Sequence, residues 1–164
     1  MALKVTDHFK PHGMMNGKPF PIWSVAKASG TTWLEGAVII DGGAGLAVEG
    51  ADNPTKGTIL GVAQCPAFDG DTSALIIPAL PGVIFSGCVA TGVAGADYTL
   101  QITDRFSLFG VALEAGSTGT WYVNENETTV LAVLITDFID DVGDNLARVA
   151  FTFIDSDLGG HSLN

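Results

Sequence analysis

From Leu34 onward, apolar runs of four to nine residues alternate with turn signals every eight to twelve. That spacing predicts a chain built from many short β-strands. In Asp97 to Thr103, Tyr98, Leu100 and Ile102 alternate with Asp97, Thr99, Gln101 and Thr103, the period of a half-buried strand. Arg148 to Asp155 repeats the pattern, with Val149, Phe151 and Phe153 facing inward and Arg148 and Thr152 outward. Trp121 and Val123 alternate with Tyr122 and Asn124 in the same way. Ala37 to Ile40, Ser73 to Ile77, Val83 to Phe85 and Val130 to Ile135 are continuously apolar, as expected of central or covered strands. Between the runs lie Asp41-Gly42-Gly43, Asp52-Asn53-Pro54, Phe68-Asp69-Gly70-Asp71, Gly92 to Asp97, Gly116 to Gly119 and Asn124 to Glu127. Gly, Asn and Asp supply the positive φ that tight turns demand. No stretch of ten residues carries a helical period, so the expected fold is all-β: a small sandwich or barrel, jelly-roll-like arrangements included.

One internal echo stands out. Thr58-Ile59-Leu60-Gly61-Val62-Ala63 is similar to Ser107-Leu108-Phe109-Gly110-Val111-Ala112. Duplication of a β-unit and chance likeness between two glycine-containing strands both fit; in either case the glycine suits a bulge or a close backbone approach.

Charge divides the chain. Residues 1–33 hold Lys4, Lys10, Lys18 and Lys27 against Asp7 alone, for a net of +3. The remainder holds Lys56, Arg105 and Arg148 against seventeen acids, for a net of −14. Pro11, Gly13, Gly17, Pro19, Pro21 and Gly30 break any helix in the first part, while Phe9, Phe20, Ile22, Trp23 and Trp33 give it anchors. The organisation read from this is an extended N-terminal arm (1–33), a β-domain (34–158) and a short tail (159–164). The arm lies either on its own body or on a neighbour. Deleting it is expected to leave a folded body. An acidic body repels nucleic acid, so no direct nucleic-acid partner is expected.

Charged residues make up 15% of the chain, against about 25% in typical domains. The longest apolar stretch, Ala74 to Phe85, is interrupted by Pro78, Pro81 and Gly82 and is too short for a ~20-residue membrane span, and the N-terminus reads without a signal peptide. Low charge without a membrane segment points to surface covered by other subunits. Cys65 and Cys88 read as reduced core thiols.

The search for chemistry yields no catalytic residues, no metal site and no cofactor. His8 and His12 lie near the N-terminus and His161 in the tail, and there is no G-x-S-x-G elbow. Asp69, Asp71 and Ser73 begin like a calcium loop but lack its glycine and its closing glutamate. Asp137, Asp140, Asp141 and Asp144 form an acidic loop that reads as solvated turn carboxylates before it reads as a cation site.

Ile59-Leu60-Gly61-Val62-Ala63, the turn Asp69-Gly70-Asp71, and Ala74 to Val83 together resemble the capsid decoration, or cement, proteins of tailed bacteriophages. Those are small, Gly- and Ala-rich, low-charge β proteins with extended N-terminal arms. The resemblance implies a structural virion protein that sits on the capsid's outer surface after assembly in the host cytoplasm. It implies a homo-oligomer, with a trimer favoured, that bridges major capsid protein subunits. The residues expected to touch the shell are Phe9, Lys10, Lys18, Phe20, Ile22, Trp23 and Trp33. The alternative is a β-sandwich binding module for a glycan or host surface, using Trp121 and Tyr122 as exposed aromatics. A small oligomeric hydrolase is a third, more distant class.

Overall fold

The computed structural model describes residues 7–91, 98–114 and 120–154. Eleven strands account for its regular structure, together with two 3-10 turns at Lys56–Thr58 and Ile102–Asp104. The all-β expectation holds, and no helix among the described residues is long and apolar enough to cross a membrane.

Strand β1 (Lys10–Met14) stands first. Strands β2 (Trp23–Ala26), β3 (Val38–Asp41), β4 (Ala47–Glu49), β5 (Ile59–Ala63) and β6 (Ser73–Pro78) form one sheet in the order β2-β6-β5-β3-β4. All four pairings in it are antiparallel. Its edges meet at a parallel bridge between Lys27 and Ala47, where the Ala28 N–H donates to the Ala47 carbonyl at 3.1 Å. Strands β7 (Val83–Ala90), β8 (Leu108–Leu113), β9 (Trp121–Asn124), β10 (Val133–Phe138) and β11 (Arg148–Phe153) run β7-β11-β10-β8-β9. Parallel pairing of Val89 and Ala90 with Val123 and Asn124 closes them into a five-stranded barrel.

The two sheets share one topology. Numbered from its own first strand, each runs 1-5-4-2-3, with antiparallel neighbours throughout and a parallel contact between strands 1 and 3. The turn entering the last strand is also the same in both. Asp71 Oδ2 accepts from the Phe68 N–H at 2.7 Å, and Asp144 Oδ2 accepts from the Asp141 N–H at 3.3 Å. Gly70 (φ 95°) and Gly143 (φ 101°) hold the third position, where such a turn requires positive φ. The described residues therefore hold a duplicated β-topology plus one strand.

The Thr58/Ser107 echo does not mark this duplication. β5 is the fourth strand of the first unit and β8 the second strand of the second. What the two segments share is close approach. A Cβ on Gly61 would strike the Ile77 carbonyl, and one on Gly110 would strike the Glu127 side chain and the Val130 carbonyl at 2.9 Å.

Two other expectations are corrected. The strand predicted over Asp97 to Thr103 does not form in its described part; Leu100 is buried, while Ile102 is 65% exposed on a 3-10 turn. The cause is Asp104, a buried carboxylate that accepts from the Tyr98 hydroxyl (2.9 and 3.0 Å) and the Gln101 N–H (2.8 Å). Local capture of a backbone N–H competes with strand pairing, and here it wins. Asp97 lies outside the described residues.

The second correction concerns the arm. β1 pairs with the first half of β7, on the same edge that β9 takes further along, and β2 is a full member of the first sheet. Phe9 is buried and meets Phe151 edge-on at 4.8 Å. Residues 7–33 thus pack as part of the body, with Phe9 and Trp33 leaving water in its core. Pro11 is tolerated because β1 is an edge strand, and the register shift beyond it blunts that edge. The tail, 159–164, lies outside the described residues.

One core runs through both units. Phe85, Phe151 and Phe153 pack with centroids 5.3–6.0 Å apart, and the same cluster reaches Val38, Ile59 and Ile76 of the first sheet. Cys88, Ala90, Ala112 and Tyr122 form a second small cluster with Leu146.

Candidate functional site

Contact residues must reach solvent, so each predicted one is placed by its burial. Phe9 and Trp33 are core residues, 1% and 4% exposed. Neither is available to a shell, and both are corrected as contact residues. Phe20 is half-buried and packs on the core. Lys10, Lys18, Ile22 and Trp23 remain on the surface. Lys10 lies 3.8 Å from Asp7, and Ile22 (51% exposed) leads into Trp23 at the head of β2.

Trp121 and Tyr122 are not an exposed surface. Both are 0% exposed. Their alternation is real, but both faces of β9 are covered: Trp121 joins the main core and Tyr122 the smaller cluster. The Trp121 Nε1–H donates to Glu49 Oε1 at 3.1 Å, and burial of Glu49 raises its pKa despite that bond.

The acidic loop is occupied with structure. Arg148 donates to Asp140 through Nη2 (2.7 Å) and Nε (3.0 Å), and its backbone N–H donates to Asp140 Oδ2 at 2.8 Å; these bonds pull the Asp140 pKa down. Arg105 pairs with Asp137 at 2.5 Å and stacks on Phe138 at 4.8 Å. Asp144 caps its own turn. Among the described residues, no three His, Cys, Asp or Glu side chains converge as metal ligands.

Three further groups bear on chemistry. Cys65 and Cys88 are unpaired; burial first, then nearby Asp7 and Asp140, push the Cys88 thiol up to about 11, which makes it a poor nucleophile. Lys27 is 4% exposed at the closure of the first sheet, donates to the Ala28 carbonyl at 3.1 Å, and lies 5.8 Å from the Trp33 ring. A depression lined by Asp7, His8, Lys10, Ser86, Gly87 and Arg148 has a volume of about 40 Å³, room for little more than a water.

What the sequence reading missed is a set of exposed apolar side chains on the connections. In the first unit, the chain from strand 1 to strand 2 bridges the chain from strand 4 to strand 5 through Trp33 and Ala67. Those two point inward and are buried, while their neighbours Leu34 (46%) and Phe68 (63%) face out. The second unit repeats this: Leu100 exchanges backbone bonds with Asp144 (3.0 Å) and Gly143 (2.9 Å), and Ile102, Phe106 and Val142 are exposed. Phe106 is 70% exposed at φ 64°, a left-handed conformation costing a bulky residue about 1–2 kcal/mol. Its N–H donates to the Ile135 carbonyl at 2.9 Å, which holds it there. The paired Gly-Asp steps at Gly70-Asp71 and Gly143-Asp144 were the sequence signal of this equivalence.

No family model, curated protein or solved structure matches this chain.

Proposed function

We propose that this chain is a structural virion protein that decorates a phage capsid and stabilises it by binding major capsid protein subunits. The observation that carries the reading is the division of its side chains. The described titratable groups with resolved partners serve turns, ion pairs and buried hydrogen bonds, while large apolar side chains such as Ile22, Trp23, Phe68 and Phe106 are left in water. Such a surface gains free energy by being covered, which is how a protein adds stability to an assembly without chemistry. The choice of a capsid as that assembly follows from the resemblance to decoration proteins. Of the contact residues expected from the sequence, Lys18, Ile22 and Trp23 form the exposed stretch retained in this reading. The glycan-binding alternative loses its aromatics, since Trp121 and Tyr122 are interior.

Co-sedimentation with expanded shells of the same virus tests this. Saturable binding that weakens in a Trp23→Ser, Ile22→Ser double variant supports the reading. Absence of binding to shells by the folded wild-type protein would discard it.

A further inference from the structure

The duplicated unit places equivalent features at equivalent ends. In each unit the connection from strand 1 to 2 lies against the connection from strand 4 to 5, joined by backbone hydrogen bonds. Exposed apolar side chains accompany each junction: Leu34 and Phe68 directly beside one, Ile102 and Val142 close to the other, with Phe106 further along the same connection against β10. Both ends are also rimmed by exposed acids. Glu35, Asp69 and Asp71 flank the first, and Asp141 and Asp144 the second. None of these five carboxylates forms an ion pair with a lysine or arginine of the described residues.

We infer that the protein is bivalent: the Leu34/Phe68 end and the Ile102/Phe106 end each dock a basic, apolar surface of a partner, so one chain can bridge two such surfaces. Charge selects the occupant. A second copy would bring a net −11 chain against these acidic rims, whereas a lysine- or arginine-rimmed apolar patch complements them. Rigidity favours docking as well. Asp71 and Asp144 fix their turns, and Asp104 fixes the loop that carries Ile102 and Phe106, so little freedom is lost on binding. Two sites on one rigid chain also raise avidity on any array that repeats the partner. This inference does not rest on the capsid reading, and its test uses no shells.

The test is calorimetric titration of the full chain with a designed amphipathic peptide of leucine and lysine, with a leucine–glutamate peptide as control. Two peptides per chain are expected, with binding that weakens as salt rises. Phe68→Ser and Phe106→Asn should each remove one site, weakening it about tenfold or more, and the double variant should lose both. Asn suits the positive φ at 106, so that variant keeps its fold; Leu46→Ser, at a hairpin away from both ends, should bind as wild type. A single site in the wild type, two sites retained in the double variant, or equal binding of the glutamate peptide would overturn the inference.

Discussion

The indole of Trp121 reaches across the molecule to Glu49, its Nε1–H donating to Oε1 at 3.1 Å. This bond joins β9 of the second unit to β4 of the first. It works with a second cross-unit bond, in which the Leu113 N–H donates to Asp52 Oδ1 at 3.0 Å. Trp121→Phe leaves a void where the fully buried indole was and strands a half-buried carboxylate, and should cost at least about 1–3 kcal/mol in urea unfolding. Because burial raises the Glu49 pKa, its contribution to stability is complete below the unfolded glutamate pKa and is lost as pH rises through the folded one. Glu49→Gln should therefore flatten the stability profile between acid and neutral pH. An unchanged profile would contradict this assignment.

Deleting residues 1–33 should unfold the protein. The deletion removes β1, β2 and the core residues Phe9 and Trp33. Each large aromatic truncated in a core costs about 3–5 kcal/mol, against a total stability of about 5–15 kcal/mol. Far-UV circular dichroism of the truncated chain checks this; a cooperative melt would show that the body stands alone.

Gly61→Ala should be among the most damaging single-methyl changes. The added Cβ meets backbone, the Ile77 carbonyl and Pro78 Cα, which cannot swing aside. A loss of about 1–3 kcal/mol is expected in denaturant titration. Gly57→Ala, with nothing within 4 Å of the new methyl, is the control and should change stability little.

Cys88 should resist alkylation in the folded state. Burial pushes its thiol up to about 11, and it is 6% exposed, whereas Cys65 is half-buried. Mass spectrometry after iodoacetamide treatment at mildly alkaline pH should show one label, on Cys65, with the second appearing only in denaturant. Nearby, the lowered Asp140 pKa means that its pairing with Arg148 stabilises above the unfolded aspartate pKa and is lost as pH falls through the folded one. The pair is partly exposed and screened by solvent, so Arg148→Lys should change stability little.

The β-class was legible because the period-2 pattern and the turn residues agree over β9 and β11. Val149, Phe151 and Phe153 point inward as their spacing says, but Thr152, expected outward, is buried as well because the other face of β11 is also covered. Asp97 to Thr103 misled because alternation is only a pattern of side chains; the Asp104 carboxylate reorganises the backbone beneath it. Phe9, Trp33, Trp121 and Tyr122 misled for another reason. An aromatic in a polar stretch is equally consistent with a contact anchor and a core residue, and only tertiary packing distinguishes them. The duplication was hidden because identical topology needs few identical residues: the Gly-Asp turns persist, while the strands keep only their apolar character.

Under the proposed function, the exposed apolar surface binds a repeating protein lattice. The most direct measurement is occupancy of purified protein on expanded capsid shells of the same virus, followed by sedimentation, for the wild type and the Trp23→Ser, Ile22→Ser variant. The account predicts saturating occupancy for the wild type, slower heat disruption of the decorated shells, and reduced occupancy for the folded variant. Shells that neither retain the wild-type protein nor gain heat resistance from it would contradict the account.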